Sequence, residues 1–203
     1  MTKLYAILAA VVAAAFLGGS AWWVLSQRNA DPYAACRAGA TGGEIGGPFT
    51  LTDQTGKTVT DKDVITGPTL VYFGYTFCPD VCPLDNARNA EAVDILEENG
   101  FEVTPVFISI DPDRDTPQVM ADYAAAIHPR LIGLTGTAEQ VKAAAQAYKV
   151  YYRKPDTAEE FYTVDHSTFT YLMMPGNRFL DFFNRDVTAD KMAERVGCFL
   201  NAG

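Results

Sequence analysis

The sequence predicts an α/β fold: a central mixed sheet flanked by helices, entered through an N-terminal β-hairpin and carried behind one N-terminal transmembrane helix. Three observations support this. The runs Leu70–Phe73 and Val103–Ile110 are short, apolar and rich in strand-favouring residues, as strands buried in an α/β sheet are. The segments between and after them carry the wider periodicity and the start signals of helices. The stretch Leu4–Leu25, LYAILAAVVAAAFLGGSAWWVL, holds no charged residue and is long enough to cross a bilayer as a helix. With 203 residues, 48% hydrophobic and 20% charged, the chain can supply one ordinary core plus an appendage. A formal charge of -9 without a basic stripe excludes nucleic acid as a partner, because nothing would displace phosphate counterions.

The appendage comes first. Residues 1–27 read as the membrane anchor, with Trp22 and Trp23 near one end, where indoles prefer the interface. Lys3 and the terminal amine precede the span and Arg28, offset by Asp31, follows it, so the amino terminus is expected in the cytoplasm and the remainder outside. A cleaved signal peptide is the rival reading, against which stand the length of the apolar run and its bulky tryptophans in place of a small-x-small site. A lipoprotein box at Tyr33-Ala34-Ala35-Cys36 is opposed by Arg28 and Asp31, which separate it from the apolar run. Residues 28–47 are small, polar and glycine-rich, a linker. Residues 48–203 form the domain.

Pro48–Leu51 and Thr58–Val59 flank Asp53-Gln54-Thr55-Gly56-Lys57, a hairpin with its turn chemistry in place. Gly67-Pro68 punctuates the entry to the central strand Leu70–Phe73. After Cys82, the apolar residues Ala87, Ala90, Val93, Ile95 and Leu96 lie among Arg88, Glu91, Asp94, Glu97 and Glu98, an amphipathic helix. The second strand, Val103–Ile110, ends in the acidic loop Asp111-Pro112-Asp113-Arg114-Asp115-Thr116-Pro117. Asp115 or Thr116 can cap the helix over Gln118–Ile127, with Pro117 at its first position. Loops at the carboxyl ends of parallel strands share one rim, so this loop belongs near the cysteines; a solvated turn is the plain alternative. Leu131–Leu134 reads as a short strand, Thr137–Tyr148 as a helix, Val150–Tyr152 as a strand-like piece and residues 154–160 as a loop. Asp165-His166-Ser167 leads into the strand Thr168–Met174; a turn at Pro175-Gly176-Asn177 returns the chain as Arg178–Asn184, and Thr188–Leu200 closes with a helix. This order is how a thioredoxin-like sheet is assembled.

The chemistry concentrates in Cys78-Pro79-Asp80-Val81-Cys82-Pro83. Side chains at i and i+4 converge if a helix begins inside the motif, and the two prolines fit only near a helix start. Both sulfurs would then sit at the positive end of a helix dipole, which favours thiolate, the form that attacks disulfides and the form that binds metal. Both chemistries fit the motif. Of the two histidines, His128 at a helix end reads as structural, and His166 at a loop-to-strand junction becomes a candidate third donor because two sulfurs leave a soft metal short of one. Met173 and Met174 point to opposite faces of a strand and read as packing. Tyr72 and Tyr75 read as wall residues, and Asp165 either orients the imidazole or faces a partner.

Four motifs in order, Tyr72–Pro83, Ile110–Thr116, Leu131–Gly136 and Val164–Ser167, make the chain from about Gly46 onward similar to the Sco/SenC proteins, copper-handling assembly factors of cytochrome c oxidase. The resemblance implies a thioredoxin-like domain on the outer face of a membrane, in the bacterial periplasm or the mitochondrial intermembrane space. It implies one copper ion per chain, as Cu(I) or Cu(II), held by Cys78, Cys82 and His166. It also implies a part in maturing the binuclear CuA centre of oxidase subunit II, by giving copper or by keeping its cysteines reduced, with other copper chaperones or thioredoxin-like reductants as further partners. The competing function is a membrane-tethered thiol-disulfide oxidoreductase cycling Cys78 and Cys82, for which no third donor is needed; a copper or redox sensor is a third. Cys36 and Cys198 lie outside every motif. A structural disulfide between them would segregate the reactive pair, with a buried free thiol at Cys198 as the alternative.

Overall fold

Alternation of short apolar runs with capped helices produces most of the expected elements, joined by an unanticipated short helix at Asp61–Val64 and a two-residue strand at Asp165–His166, in the computed structural model, which describes residues 5, 11–20, 22–23, 32–37, 45–157, 159 and 161–202. In chain order these are β1 (Thr50–Asp53), β2 (Thr58–Thr60), α1 (Asp61–Val64), β3 (Thr69–Gly74), α2 (Val81–Glu98), β4 (Thr104–Ser109) and α3 (Pro117–Ile127). They continue with β5 (Ile132–Thr135), α4 (Ala138–Ala147), β6 (Tyr152–Arg153), β7 (Asp165–His166), β8 (Thr170–Met174), β9 (Arg178–Phe183) and α5 (Ala189–Ala202). The chain divides into two compact units, residues 1–36 with Gly203, and residues 37–202.

In the larger unit seven strands form one mixed sheet in the order β2-β1-β5-β4-β3-β8-β9. Strands β3, β4 and β5 run parallel, while β8 pairs antiparallel with β3 and β1 antiparallel with β5. Every residue of β3 is buried, as a strand covered on both faces requires. Tyr72, Phe73, Phe107, Ile108, Leu134 and Tyr148 are among the side chains of the continuous core around it. The hairpin turns at Gly56, whose φ of +86° is open to glycine at little cost.

Helix starts follow their caps. The Thr116 side chain accepts from the Val119 N–H with Pro117 next in line, and Thr137 closes a capping box with Gln140. Helix α2 differs: it begins at Val81, so Pro79 lies before the helix and only Pro83 within its first turn. Its buried face also departs from the expected amphipathic pattern, since Ala87 is exposed whereas Asp85, Asn86 and Asn89 are buried. Hydrogen bonds account for this. Asn86 donates to the Cys82 carbonyl and to the Tyr123 hydroxyl, and Asn89 accepts from Thr170. The strand-like piece anticipated over Val150–Tyr152 is Tyr152–Arg153, and it pairs with β7 as a separate two-stranded ribbon.

In the smaller unit residues 11–20 and 22–23 are helical. Among the described residues no helix is long and apolar enough to cross a membrane. The span expected over Leu4–Leu25 falls partly outside the described residues, which omit 4, 6–10, 21 and 24–25.

Candidate metal centre

The end of β3 and the start of α2 place the two thiols. Cys78 lies in the connecting loop and Cys82 in the first turn of α2, where its backbone N–H donates to Cys78 Sγ at 3.3 Å. Gly74 makes room for them: a Cβ there would lie 2.8 Å from Cys82 Sγ and 2.8 Å from Phe107 Cε2. His166 arrives on β7, its Nε2 3.4 Å from Cys82 Sγ across 84 positions of sequence. Its Nδ1 meets the Ser167 carbonyl at 2.8 Å. A carbonyl only accepts, so Nδ1 carries the proton and Nε2 turns its lone pair to the sulfurs. One donor atom from each of Cys78, Cys82 and His166 lies within 4.8 Å of the others.

The two thiols differ electrostatically. Burial pushes Cys78 up, but the backbone N–H groups of Cys82, Asp80 and Val81 outweigh it and leave this thiol below the ordinary cysteine value. Cys82, wholly enclosed, is pushed far above the ordinary value by burial. The expectation that the helix end would favour thiolate at both positions therefore holds for Cys78 alone in the metal-free site. Burial also lowers the imidazole of His166, so it is neutral near pH 7.

Tyr72 and Tyr75 are walls, as expected, each presenting its ring edge-on to His166 at 6.4 and 5.9 Å between centroids. The Tyr72 hydroxyl donates to Asp85, and the Tyr75 hydroxyl, pushed up to about 12 chiefly by burial, accepts from the Val164 N–H. The acidic loop does lie beside the cysteine loop. Thr116 takes the cap, which frees Asp115 to accept from the Thr76 N–H, the Thr76 hydroxyl and the Ser109 hydroxyl. Asp165 does not orient the imidazole; it pairs with Arg153 at 2.9 Å. His128 is buried at the end of α3, where it bonds Asp94 and the Arg130 N–H, a structural role. Met173 is enclosed in the core. Sequence reasoning placed Asp111 only as part of the acidic loop and gave no role to Asp85 or Tyr162. An acid on the apolar side of a helix was the available signal for Asp85; the roles of the other two depend on tertiary neighbours.

Cys78 and Cys82 are free thiols, and Cys36 and Cys198 are disulfide-bonded.

A thioredoxin-like sheet with two thiols and an imidazole gathered at a strand-to-helix junction defines a class: proteins built to hold a soft metal ion or to exchange disulfides. The particular lineage follows from similarity. The family model described as SCO1/SenC matches residues 37–201, and the chain belongs to that family. The protein SenC of Rhodobacter capsulatus is 52% identical over 203 residues, covering 99% of this chain and 92% of the relative. The mitochondrial SCO1 homolog 1 of Arabidopsis thaliana is 44% identical over 80% of this chain, which spans only 49% of that longer protein. Among solved structures, copper-bound ScoI of Arabidopsis thaliana matches with a TM-score of 0.72 at 44% identity, covering 77% of this chain and 99% of that one. BsSco, described by its disulfide switch and as a member of the Sco family of cytochrome c oxidase assembly proteins, matches with a TM-score of 0.61 at 25% identity, covering 75% and 91%.

Proposed function

We propose that the protein is a membrane-anchored copper metallochaperone that carries one copper ion on Cys78, Cys82 and His166 and assists maturation of the CuA centre of cytochrome c oxidase subunit II. The observation that carries this reading is the convergence of the three donor atoms within 4.8 Å. The donor set fits the cargo: two sulfurs and one nitrogen suit Cu(I), and the imidazole keeps Cu(II) accessible, although zinc tolerates the same atoms. Copper is bound in the ScoI relative, and oxidase assembly is the role named for BsSco. A site with few ligands, one of them on a loop and one on a two-residue strand, can pass its ion on by exchanging donors one at a time with a partner's cysteines. The anchor, with residues 48–203 facing the periplasm, puts the site on the side of the membrane where a CuA domain would meet it.

The test is metal analysis of the copper-exposed chain beside its Cys78→Ser and His166→Ala forms. One equivalent in the parent and its loss in Cys78→Ser are expected, with sharply weakened retention in His166→Ala. Equal retention by all three would refute the ligand set.

One observation favours a second reading, thiol-disulfide exchange: the thiols are unequal, with Cys78 the readier thiolate and Cys82 held protonated. In that reaction Cys78 attacks a partner disulfide and releases one partner thiol. Cys82 then displaces the second, leaving a Cys78–Cys82 disulfide and two reduced cysteines on the partner. His166→Ala separates the two functions, since it should spare exchange while weakening copper retention.

A further inference from the structure

His166 is delivered by a ribbon too short to hold itself. Strands β6 and β7 pair only Tyr152 with His166 and Arg153 with Asp165, and an isolated pair of strands is at best marginal in water. Four residues before His166, however, Tyr162 is seated in a socket of charges. The Arg114 guanidinium lies 3.6 Å from its ring centroid and the Lys154 ammonium 4.8 Å from it, while its hydroxyl donates to both oxygens of Asp111 at 2.8 and 2.9 Å.

Asp111 is wholly buried, and a buried carboxylate is tolerated only when its partners stay in place. Those partners are Arg114 Nε at 2.5 Å, the Tyr162 hydroxyl and, at 3.6 Å, Lys154. The same guanidinium lies 4.9 Å from the ring centroid of Phe77, the residue before Cys78. Two residues past Tyr162, the Val164 N–H bonds the Tyr75 hydroxyl. The segment that ends in His166 is thus fastened to the β4–α3 loop at one point and to the cysteine loop at another.

We propose that Tyr162, seated against Asp111, Arg114 and Lys154, is a positioning residue that keeps His166 within reach of the two sulfurs. This rests on the reading of Cys78, Cys82 and His166 as the copper ligands. The socket touches no donor atom; it acts through where it leaves the imidazole.

The experiment is competition of the full chain with a chromogenic chelator for Cu(I), on Tyr162→Phe, His166→Ala and the double variant, with Asp111→Asn as a second way to open the socket. Tyr162→Phe and Asp111→Asn should each weaken Cu(I) roughly tenfold, the low end for losing a group that orients a ligand. In the His166→Ala background Tyr162→Phe should change nothing further, because a residue that acts through the imidazole is non-additive with its removal. The dithiol–disulfide midpoint of Cys78 and Cys82 should stay at the parent value in Tyr162→Phe. Parent affinity in both socket variants, or equal weakening by Tyr162→Phe with and without His166, overturns the proposal while leaving the ligand set standing. Parent affinity in His166→Ala overturns the ligand set, and the socket's role with it.

Discussion

Cys78 and Cys82 are chemically the same residue with different tasks, and the difference is made by a few backbone groups. Three N–H groups from the turn into α2 point at Cys78, whereas Cys82 is enclosed by Gly74, Tyr72 and Phe107. A lowered thiol pKa means more thiolate at any pH below the ordinary cysteine range, so in the metal-free protein Cys78 should be alkylated by iodoacetamide along a pH curve whose midpoint lies under that range. Cys82 should remain unlabelled over the same interval. Peptide mapping of the labelled chain checks this, and preferential labelling of Cys82 would reverse the assignment. At this scale the sequence was legible where chemistry is local. The CxxxC spacing identified both thiols, but the helix start led to thiolate being expected at both, and the burial that raises Cys82 was not readable from the spacing. His166 was a candidate third donor because two sulfurs leave a soft metal short of one, but only the four-motif resemblance joined it to the cysteines, because a separation of 84 positions carries no spacing signal.

At the scale of elements, the critical surface is the close approach of β3 to α2. Gly74 ends β3 beneath Cys82, and a methyl group there would press on Cys82 Sγ and Phe107 Cε2 at 2.8 Å and on Tyr72 Cε1 at 3.0 Å, three groups already packed. Overpacking of this kind costs about 1–3 kcal/mol. Gly74→Ala should therefore lower Tm by roughly 2–10 °C in a domain of this size and loosen copper retention, since the first thing displaced is a proposed ligand. Calorimetry beside metal analysis checks both, and an unchanged Tm would mean that the junction has slack. The longer strands and helices were readable from periodicity, to within a residue or two at most boundaries, whereas the one-turn helix α1 and the two-residue strand β7 are too short to carry a period. The inner face of α2 was not readable either. Asp85, Asn86 and Asn89 look solvent-exposed by type, and their burial depends on partners from elsewhere in the chain, among them Tyr72, Arg185, Tyr123 and Thr170.

For the whole molecule, the four cysteines divide by environment: one pair is reduced beside the imidazole and the other oxidised. That division agrees with a domain placed outside the cytoplasm, because a structural disulfide persists where glutathione and thioredoxin do not reduce it. Spacing alone could not show this division, since Cys36 and Cys198 belong to no motif. A chain carrying Cys78→Ser and Cys82→Ser isolates the second pair from the first. Exported to an oxidising compartment, then denatured and alkylated without reductant, it should take up no label, and after reduction it should take up two. Held in a reducing cytosol by deletion of residues 1–27, the same variant should take up two labels from the start. Two labels on the exported, unreduced chain would show that Cys36 and Cys198 are free thiols. The separation of structural from reactive sulfur would then have to come from burial alone.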